Sequence, residues 1–386
     1  MHERPKTSAQ GMVMAKGLKS AKSFGVSGKP TASKVQQALQ ALDEHLLALI
    51  NRRAELSLQL AELRKEEGEP DFQLSDEDRQ LAAVLEKNPG PLSRAATQAI
   101  FREVLSACRA LIKPLRVAYL GPQYSYSHLA ALHRFGQQVE YVAVGSISAV
   151  FEEVLRGHAQ FGIVPLENST DGRIADTLDM FIRTPARICG QVELEIHHTL
   201  LAKCPRSEIR EVYSRPQALS QCRNWLAKHL PGARLIEVTS TSTAAQLASE
   251  KPGAAAIASL QAGVFYGLTP LAENIEDNPG NTTRFAIIGN QICARTGNDK
   301  TALMFQVEHR PGALADAMNV FKRNRLNLTW IESFPAPGCR GAYYFFAELE
   351  GHESEQRVRR ALNALKSKTQ RLEILGSYPV TAPVST

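Results

Sequence analysis

The chain has 386 residues, which is too many for one ordinary hydrophobic core, so two or three domains are expected. Its hydrophobic content of 44% is typical of a soluble globular protein, and no apolar run approaches the roughly 20 residues that span a bilayer. The formal charge of +6 lies within residues 1–34, because the rest of the chain holds 38 basic and 38 acidic side chains. A neutral folded body argues against a nucleic-acid or membrane partner.

The N-terminal segment 1–33 is predicted to be a disordered basic tail, because it is rich in Lys, Ser and Gly and poor in apolar residues. It lacks the apolar stretch of a secretory signal, and Met12 and Met14 are candidates for an alternative start. Six cysteines are scattered without a C-x-x-C pair. That pattern indicates free thiols in a cytoplasmic, reducing compartment and no zinc site.

Residues 34–113 are predicted to form an all-helical domain. The first helix, over 34–66, carries an apolar heptad stripe that needs partner helices, which predicts a dimer. The stripe positions are Val35, Leu39, Leu42, Leu46, Leu49, Leu56, Leu60 and Leu63. Arg53 interrupts the stripe and either reaches outward to solvent or meets an anionic ligand held between helices. Two further helices are expected near 75–87 and 92–112.

Residues 115–292 alternate short apolar strands with helices, which predicts parallel sheets covered by helices on both faces. The expected strands include 116–120, 161–165, 211–213, 235–238 and 254–258. A segment of this length can form two lobes with a cleft between them. Helix N-termini facing such a cleft favour anions.

A polar tract over residues 274–284 leads directly into the apolar run 285–288. A loop that feeds a buried strand delivers its last polar side chains to a strand end, where ligand sites of α/β proteins form. Thr283 and Arg284 are the groups delivered, a hydroxyl donor and a permanent cation. They suit an anionic substrate whose reaction needs a proton. The alternative is an ordinary turn before a core strand.

Residues 300–379 are predicted to form a β-α-β-β-α-β module of the ferredoxin-like type, whose sheets often pair side by side.

In this order, the segments resemble the family of bifunctional chorismate mutase/prephenate dehydratases of phenylalanine biosynthesis, which end in an ACT regulatory domain. The matching stretches are 118–122, 125–128, 162–170, 212–214, 216–219, 256–259 and 283–285. The resemblance implies an all-α mutase domain, a two-lobed α/β dehydratase domain like the periplasmic binding proteins, and an α+β ACT domain.

The family reaction converts prephenate to phenylpyruvate, carbon dioxide and water, and it needs no metal or organic cofactor. By resemblance, Thr283 is placed against the departing ring hydroxyl. A threonine hydroxyl is a weak acid and needs a polar or charged neighbour in order to donate. Arg284 is implied as a nearby catalytic cation, better suited to a carboxylate than to proton transfer. Glu167 is either a structural partner or an assistant to the acid.

Further cleft residues are implied where strands run into helices. Asn168, Ser169 and Thr170 are expected to donate hydrogen bonds to the substrate, and the alternative for them is capping of the next helix. Ser125 and Ser127, in the first loop, are further substrate-binding candidates.

The resemblance also implies a mutase site built from cations that stabilise a dianionic transition state. The positions of the family's second Arg, its Lys and its Glu fall on Arg53, Arg64 and Glu77.

Three other mutase positions depart from the family pattern. Gln36 stands where the family has an Arg, Asp76 stands where it has another Arg, and Ile112 stands where it often has Gln or Glu. Each lost charged contact costs about 1.5–3 kcal/mol, or one to two decades in rate. The mutase domain is therefore expected to be weak or inactive and to serve mainly in dimerisation.

In the ACT family, a Gly-Ala-Leu turn and a Glu-Ser-Arg-Pro segment form a phenylalanine pocket. The residues implied here are Gly312, Ala313, Leu314, Glu332 and Ser333. Phe334 replaces the Arg of the second segment. Phenylalanine is the expected inhibitor.

Two other functions stay open at the level of the sequence. A non-catalytic amino-acid sensor could use the same two-lobed domain, although a sensor has no need of a proton donor at Thr283. Arogenate could replace prephenate as the substrate, with chorismate as a further substrate if the mutase domain is active. A homodimer or a higher homo-oligomer is expected.

Overall fold

The computed structural model of the protein describes residues 31–70, 72–170, 172–336 and 341–385. The predicted tail 1–33 lies outside these residues except for its last three positions. The chain divides into two compact units, residues 1–53 and 54–386. Within the described ranges, no helix is both long enough and apolar enough to cross a membrane.

The N-terminal part is helical, as the periodicity predicts. Its elements are α1 (Ala32–Glu66), α2 (Leu74–Glu86) and α3 (Arg94–Ile112). Ser93 begins α3, because its hydroxyl accepts a hydrogen bond from the Ala96 backbone N–H at 3.1 Å. All eight apolar stripe positions of α1 are exposed to solvent in the single chain.

A first α/β lobe follows. Its elements are β1 (Arg116–Leu120), α4 (Tyr126–Phe135), β2 (Glu140–Val144), α5 (Ile147–Leu155), β3 (Phe161–Asn168), β4 (Gly172–Arg173), α6 (Ala175–Arg183) and β5 (Arg187–Glu195). The strand Phe161–Asn168 contains Gly162, where a Cβ would lie 2.7 Å from the Val150 side chain and 2.9 Å from that of Ile288. Glycine at this position lets α5 approach the sheet closely.

The second lobe is built from residues 199–272. Its elements are β6 (Thr199–Ala202), β7 (Glu211–Ser214), α7 (Pro216–Gln221), α8 (Arg223–His229), β8 (Arg234–Glu237), α9 (Thr241–Glu250), β9 (Ala254–Ala258), α10 (Leu260–Phe265) and β10 (Thr269–Ala272). A single 3₁₀ turn, Arg206–Glu208, precedes β7. The sheet of the second lobe has the order β10-β6-β9-β7-β8.

The chain then returns to the first sheet through β11 (Thr282–Gly289), which pairs with both β3 and β5. The first sheet has the order β16-β5-β11-β3-β1-β2, where β16 is the C-terminal strand Val384–Ser385. The two connections between the lobes are therefore residues 196–198 and 273–281.

The expectation of parallel sheets is wrong in part. Strands β1, β2 and β3 are parallel to one another, and so are β7, β8 and β9. Strands β11 and β6 run antiparallel to their neighbours β3 and β9, because the chain crosses from one lobe to the other and back. Both sheets are consequently mixed.

The C-terminal module has the predicted β-α-β-β-α-β order. Its elements are β12 (Asp299–Gln306), α11 (Ala313–Arg323), β13 (Leu328–Pro335), β14 (Tyr343–Glu350), α12 (Gln356–Lys366) and β15 (Arg371–Pro379). Its antiparallel sheet has the order β13-β14-β12-β15, which is the ferredoxin-like arrangement. Met304, Phe346 and Tyr378 are buried in the same apolar cluster as the first lobe, so the module packs on that lobe.

Candidate active site

The predicted proton donor, Thr283, is the second residue of the returning strand β11. Thr283 pairs in register with Asn168 of β3, and the two side chains meet because paired residues lie on the same face of a sheet. The Asn168 Nδ2 atom donates to Thr283 Oγ1 at 2.8 Å and to Asn281 Oδ1 at 3.0 Å. Thr283 keeps 9% of its surface exposed. Among the described residues, no acceptor is bonded to the Thr283 hydroxyl hydrogen, which is therefore available for donation.

Ser169 and Thr170 extend the polar cluster toward solvent. Ser169 Oγ accepts from the Thr282 backbone N–H at 2.9 Å and donates to the Gly280 carbonyl at 3.3 Å. Thr170 Oγ1 donates to Asn281 Oδ1 at 3.3 Å. Both residues are exposed, so the cluster runs from the buried Thr283 pair to the protein surface.

Three residues that the sequence analysis missed continue this cluster: Asn281 and His198 in the connections between the lobes, and Gln221 at the end of α7. Gln221 Oε1 accepts from Asn281 Nδ2 at 3.0 Å and lies 2.9 Å from His198 Nε2. Burial lowers the pKa of His198. Asn281 could have been found from strand alternation, since it stands two residues before Thr283. Gln221 and His198 carry no comparable signal in the sequence.

Arg284 does not join Thr283 in the cleft, which corrects the expectation from their adjacency. Successive residues of a strand face opposite sides, so the Arg284 side chain leaves the sheet on the other face. There its guanidinium bonds both carboxylate oxygens of Glu348 in the C-terminal module and lies 3.0 Å from Glu167 Oε2. Glu167 is thus an ion-pair partner of Arg284, and its assistance to the acid stays a prediction.

The first loop supplies a cap where substrate contacts were expected. Ser125 Oγ donates to the Leu120 carbonyl at 2.9 Å and accepts from the His128 N–H at 3.4 Å, so it caps the N-terminus of α4. Its contact with substrate stays a prediction. Ser127 is buried in the first turn of the same helix.

The same loop joins the two lobes. Ser242 Oγ, at the start of α9, donates to the Gln123 carbonyl. The Tyr124 ring packs against Phe265 of α10 with centroids 4.5 Å apart. Tyr124 has a positive φ of 60°, a conformation that a bulky residue seldom adopts. The loop is therefore shaped by its contacts across the cleft.

The proposed mutase residues that lie in the second unit are occupied by internal ion pairs. Arg64 pairs with Asp76, and Glu77 accepts two hydrogen bonds from Arg109 Nη1 at 2.7 and 2.8 Å. Arg53 lies in the first unit and is partly exposed.

In the C-terminal module, Gly312 has a φ of 81° and precedes the buried Ala313 at the start of α11. Leu314 is partly buried and Ser333 is exposed. Glu332, on the edge strand β13, forms an ion pair with Arg173 at 3.1 Å.

Family models match the helical domain and the two-lobed domain. The family model for prephenate dehydratase matches residues 117–292, and the model for chorismate mutase type II matches residues 35–113. A bifunctional chorismate mutase/prephenate dehydratase of Aquifex aeolicus is 40% identical over 351 residues, covering 89% of this chain and 97% of its own.

Two solved structures share the fold. A prephenate dehydratase from Arthrobacter aurescens in complex with L-Phe is 31% identical with a TM-score of 0.64, and the match covers 69% of this chain and 90% of that one. A quorum quenching acylase is 27% identical with a TM-score of 0.63, over 69% of this chain and 98% of that one.

Proposed function

The chain belongs to the family of bifunctional chorismate mutase/prephenate dehydratases, and from that premise we propose that it converts prephenate to phenylpyruvate with Thr283 as the proton donor. The observation that carries the proposal is the Asn168–Thr283 hydrogen bond, which leaves the hydroxyl hydrogen of Thr283 free of acceptors among the described residues. The neighbouring polar side chains support the binding of a dianion in a partly buried site.

The chemistry follows from this hydrogen bond. Thr283 Oγ gives its hydrogen to the C4 hydroxyl of the ring, so the C–O bond breaks with water as the leaving group. The bond to the ring carboxylate breaks at the same time, carbon dioxide leaves, and its electrons complete the aromatic ring. Negative charge develops on Thr283 Oγ during the transfer, and the Asn168 amide stabilises that charge. Solvent then returns the hydrogen to Thr283.

The test incubates the protein with prephenate and, separately, with arogenate. The phenylpyruvate formed is measured by its absorbance in base. We expect Thr283→Val, which keeps the shape and removes the hydroxyl, to lower kcat by about 10²–10⁴-fold. Thr282→Val is the matched control, because residue 282 faces the other side of the strand. A Thr283→Val enzyme with kcat within twofold of the parent would exclude this role.

We propose that the mutase activity of the helical domain is weak. Support comes from two ion pairs within the domain. Asp76 pairs with Arg64, and Arg109 pairs with Glu77. A dianionic substrate would have to compete with these internal partners. Turnover of chorismate by the full chain at ordinary enzyme rates, above about 1 per second, would contradict the proposal.

We also propose that the C-terminal module is an ACT domain that binds phenylalanine. Its ferredoxin-like topology, the left-handed turn at Gly312 and the relative solved with L-Phe support this assignment. Binding is tested by thermal unfolding, and we expect the unfolding midpoint to rise with added L-phenylalanine and not with L-alanine. An unchanged midpoint at millimolar L-phenylalanine would count against it.

A further inference from the structure

Directly behind the Thr283–Asn168 pair lies a cluster of buried charges. Arg284 follows Thr283 in sequence, and Glu167 precedes Asn168. Arg284 and Glu167 pair with each other in register across β11 and β3. Their side chains lie 3.0 Å apart, Arg284 Nη2 to Glu167 Oε2. The two strands therefore present one pair of residues to the cleft and the adjacent pair to the C-terminal module.

The C-terminal module completes this cluster with Glu348 of β14. Its carboxylate is fully buried, with 0% of its surface exposed, and it accepts hydrogen bonds from Arg284 and from Tyr378 Oη at 2.8 Å. Lys300 Nζ lies 3.7 Å away, and the Arg284 guanidinium lies 5.1 Å from the centre of the Trp330 ring.

A buried carboxylate and a buried guanidinium each depend on the other, because an unpaired charge is strongly disfavoured in an apolar interior. Burial opposes the charge of Arg284, but Glu348, Tyr378 and Glu167 outweigh it and raise the pKa of the guanidinium. Burial and the charge of Glu348 likewise raise the pKa of Tyr378. The cluster thus fixes the Arg284 backbone relative to the module.

We propose that Glu348 is a positioning residue for the dehydratase reaction: by holding Arg284, it sets the place of Thr283 against Asn168. This inference rests on the proposed role of Thr283. A shift of β11 along β3 by a fraction of an ångström lengthens the Asn168–Thr283 hydrogen bond and weakens the stabilisation of the developing oxyanion. The substrate does not contact Glu348, so its binding is affected less than its conversion.

The experiment compares kcat and KM for prephenate in the full chain, at a temperature well below the unfolding midpoint of every variant. We expect Glu348→Gln to lower kcat 10- to 100-fold and to change KM less than threefold. Glu350→Gln is the matched control on the same strand, because Glu350 is exposed and its carboxylate bonds only the Asn327 side-chain amide among the described residues. This variant should keep kcat within twofold. Glu348→Asp keeps the charge and should recover part of the loss.

Three outcomes overturn the inference. A folded Glu348→Gln protein with the kcat of the parent contradicts positioning by Glu348. In that case, loss of activity in Thr283→Val would still support the proposed function. A parent chain that does not convert prephenate overturns both. If Glu348→Gln does not fold, Arg284→Lys takes its place. This variant keeps the positive charge but cannot bond both carboxylate oxygens of Glu348. An unchanged kcat in Arg284→Lys is the third contrary outcome.

Discussion

At the scale of single residues, the acid strength of Thr283 depends on its neighbour. A threonine hydroxyl alone holds its hydrogen too tightly to serve as an acid near neutral pH. The amide of Asn168 has two N–H bonds, and it uses them on Asn281 and on Thr283. This arrangement leaves an electron-poor oxygen on Thr283 that can give up its hydrogen more readily.

The role of Asn168 is tested with Asn168→Asp. A carboxylate in place of the amide accepts the Thr283 hydrogen and repels the charge that forms on Oγ, so we expect kcat to fall at least about 10²-fold. Steady-state kinetics with prephenate measure the effect. Asn278→Asp is the control, since the exposed Asn278 acts as an acceptor for the Gly280 N–H and keeps that ability as Asp. Equal activity of Asn168→Asp and the parent would contradict the mechanism.

His128 gives the protein a predictable response to acid. Burial lowers its pKa to about 4, and its Nδ1 accepts a hydrogen bond from the Tyr124 N–H at 3.0 Å. The unfolded chain has a histidine pKa of about 6.5, so it binds more protons than the folded chain between these values. The stabilisation is complete above pH 6.5 and is lost as the pH falls toward 4.

We therefore expect the free energy of unfolding, measured in urea, to decrease from pH 6.5 to pH 4. In His128→Asn, the side-chain oxygen replaces Nδ1 as the acceptor and does not titrate, so the decrease over this range should be shallower than in the parent. Parallel curves for the two proteins would show that His128 does not contribute.

At the scale of elements, helices α2 and α3 are joined by the buried Glu77–Arg109 pair. Arg109 also donates to the Phe135 carbonyl of α4 and lies 5.2 Å from the centre of the Phe72 ring. The guanidinium thus joins the helical domain to the first lobe, and its charge is balanced by Glu77.

Removing Glu77 should destabilise this junction. We expect Glu77→Ala to lower the free energy of unfolding by about 3–5 kcal/mol, because it leaves Arg109 buried without its counter-charge. Glu86→Ala, at an exposed position of the same helix, should change it by less than about 0.5 kcal/mol. Urea unfolding compares the two, and equal stabilities would contradict the structural role of the pair.

Local patterns predicted most of these elements. The heptad stripe predicted α1, strand-then-helix alternation predicted the lobes, and the β-α-β-β-α-β order predicted the C-terminal module. The antiparallel insertion of β11 between β3 and β5 could not be predicted, because pairing between strands 87 to 128 residues apart leaves no local pattern.

The site shows the same division. Thr283 and Asn168 were predicted from the polar residues at strand ends and from the family motifs, whereas the partner of Arg284 was not. Glu348 lies 64 residues away in another module, so nothing near Arg284 in sequence indicates that its charge is already taken. Adjacency in sequence suggested a shared role for Thr283 and Arg284, and the two-residue period of a strand separates them.

At the scale of the whole molecule, the exposed stripe of α1 predicts self-association. A leucine that leaves water on association contributes about 2 kcal/mol, and the eight stripe positions are exposed in the single chain. A second copy of the same helix offers a matching apolar face. We therefore expect the protein to form a dimer or a larger oligomer built from dimers.

Light scattering during gel filtration tests this. We expect the parent chain to have at least twice the mass of one chain, and Leu46→Lys with Leu49→Lys to reduce that mass. Gln40→Lys, at an exposed polar position of the same helix, adds a charge outside the stripe and should leave the mass unchanged. A parent chain that is a monomer at micromolar concentration would contradict the prediction.

The loop that follows β1 has a consequence for how the cleft admits a molecule. Its links to the second lobe include the Ser242–Gln123 hydrogen bond and the Tyr124–Phe265 ring contact, each of which is worth about 1 kcal/mol. Contacts of this strength break in thermal motion while both sheets stay folded. We therefore expect the two lobes to separate briefly when the reactant enters and the product leaves, and to close again without refolding.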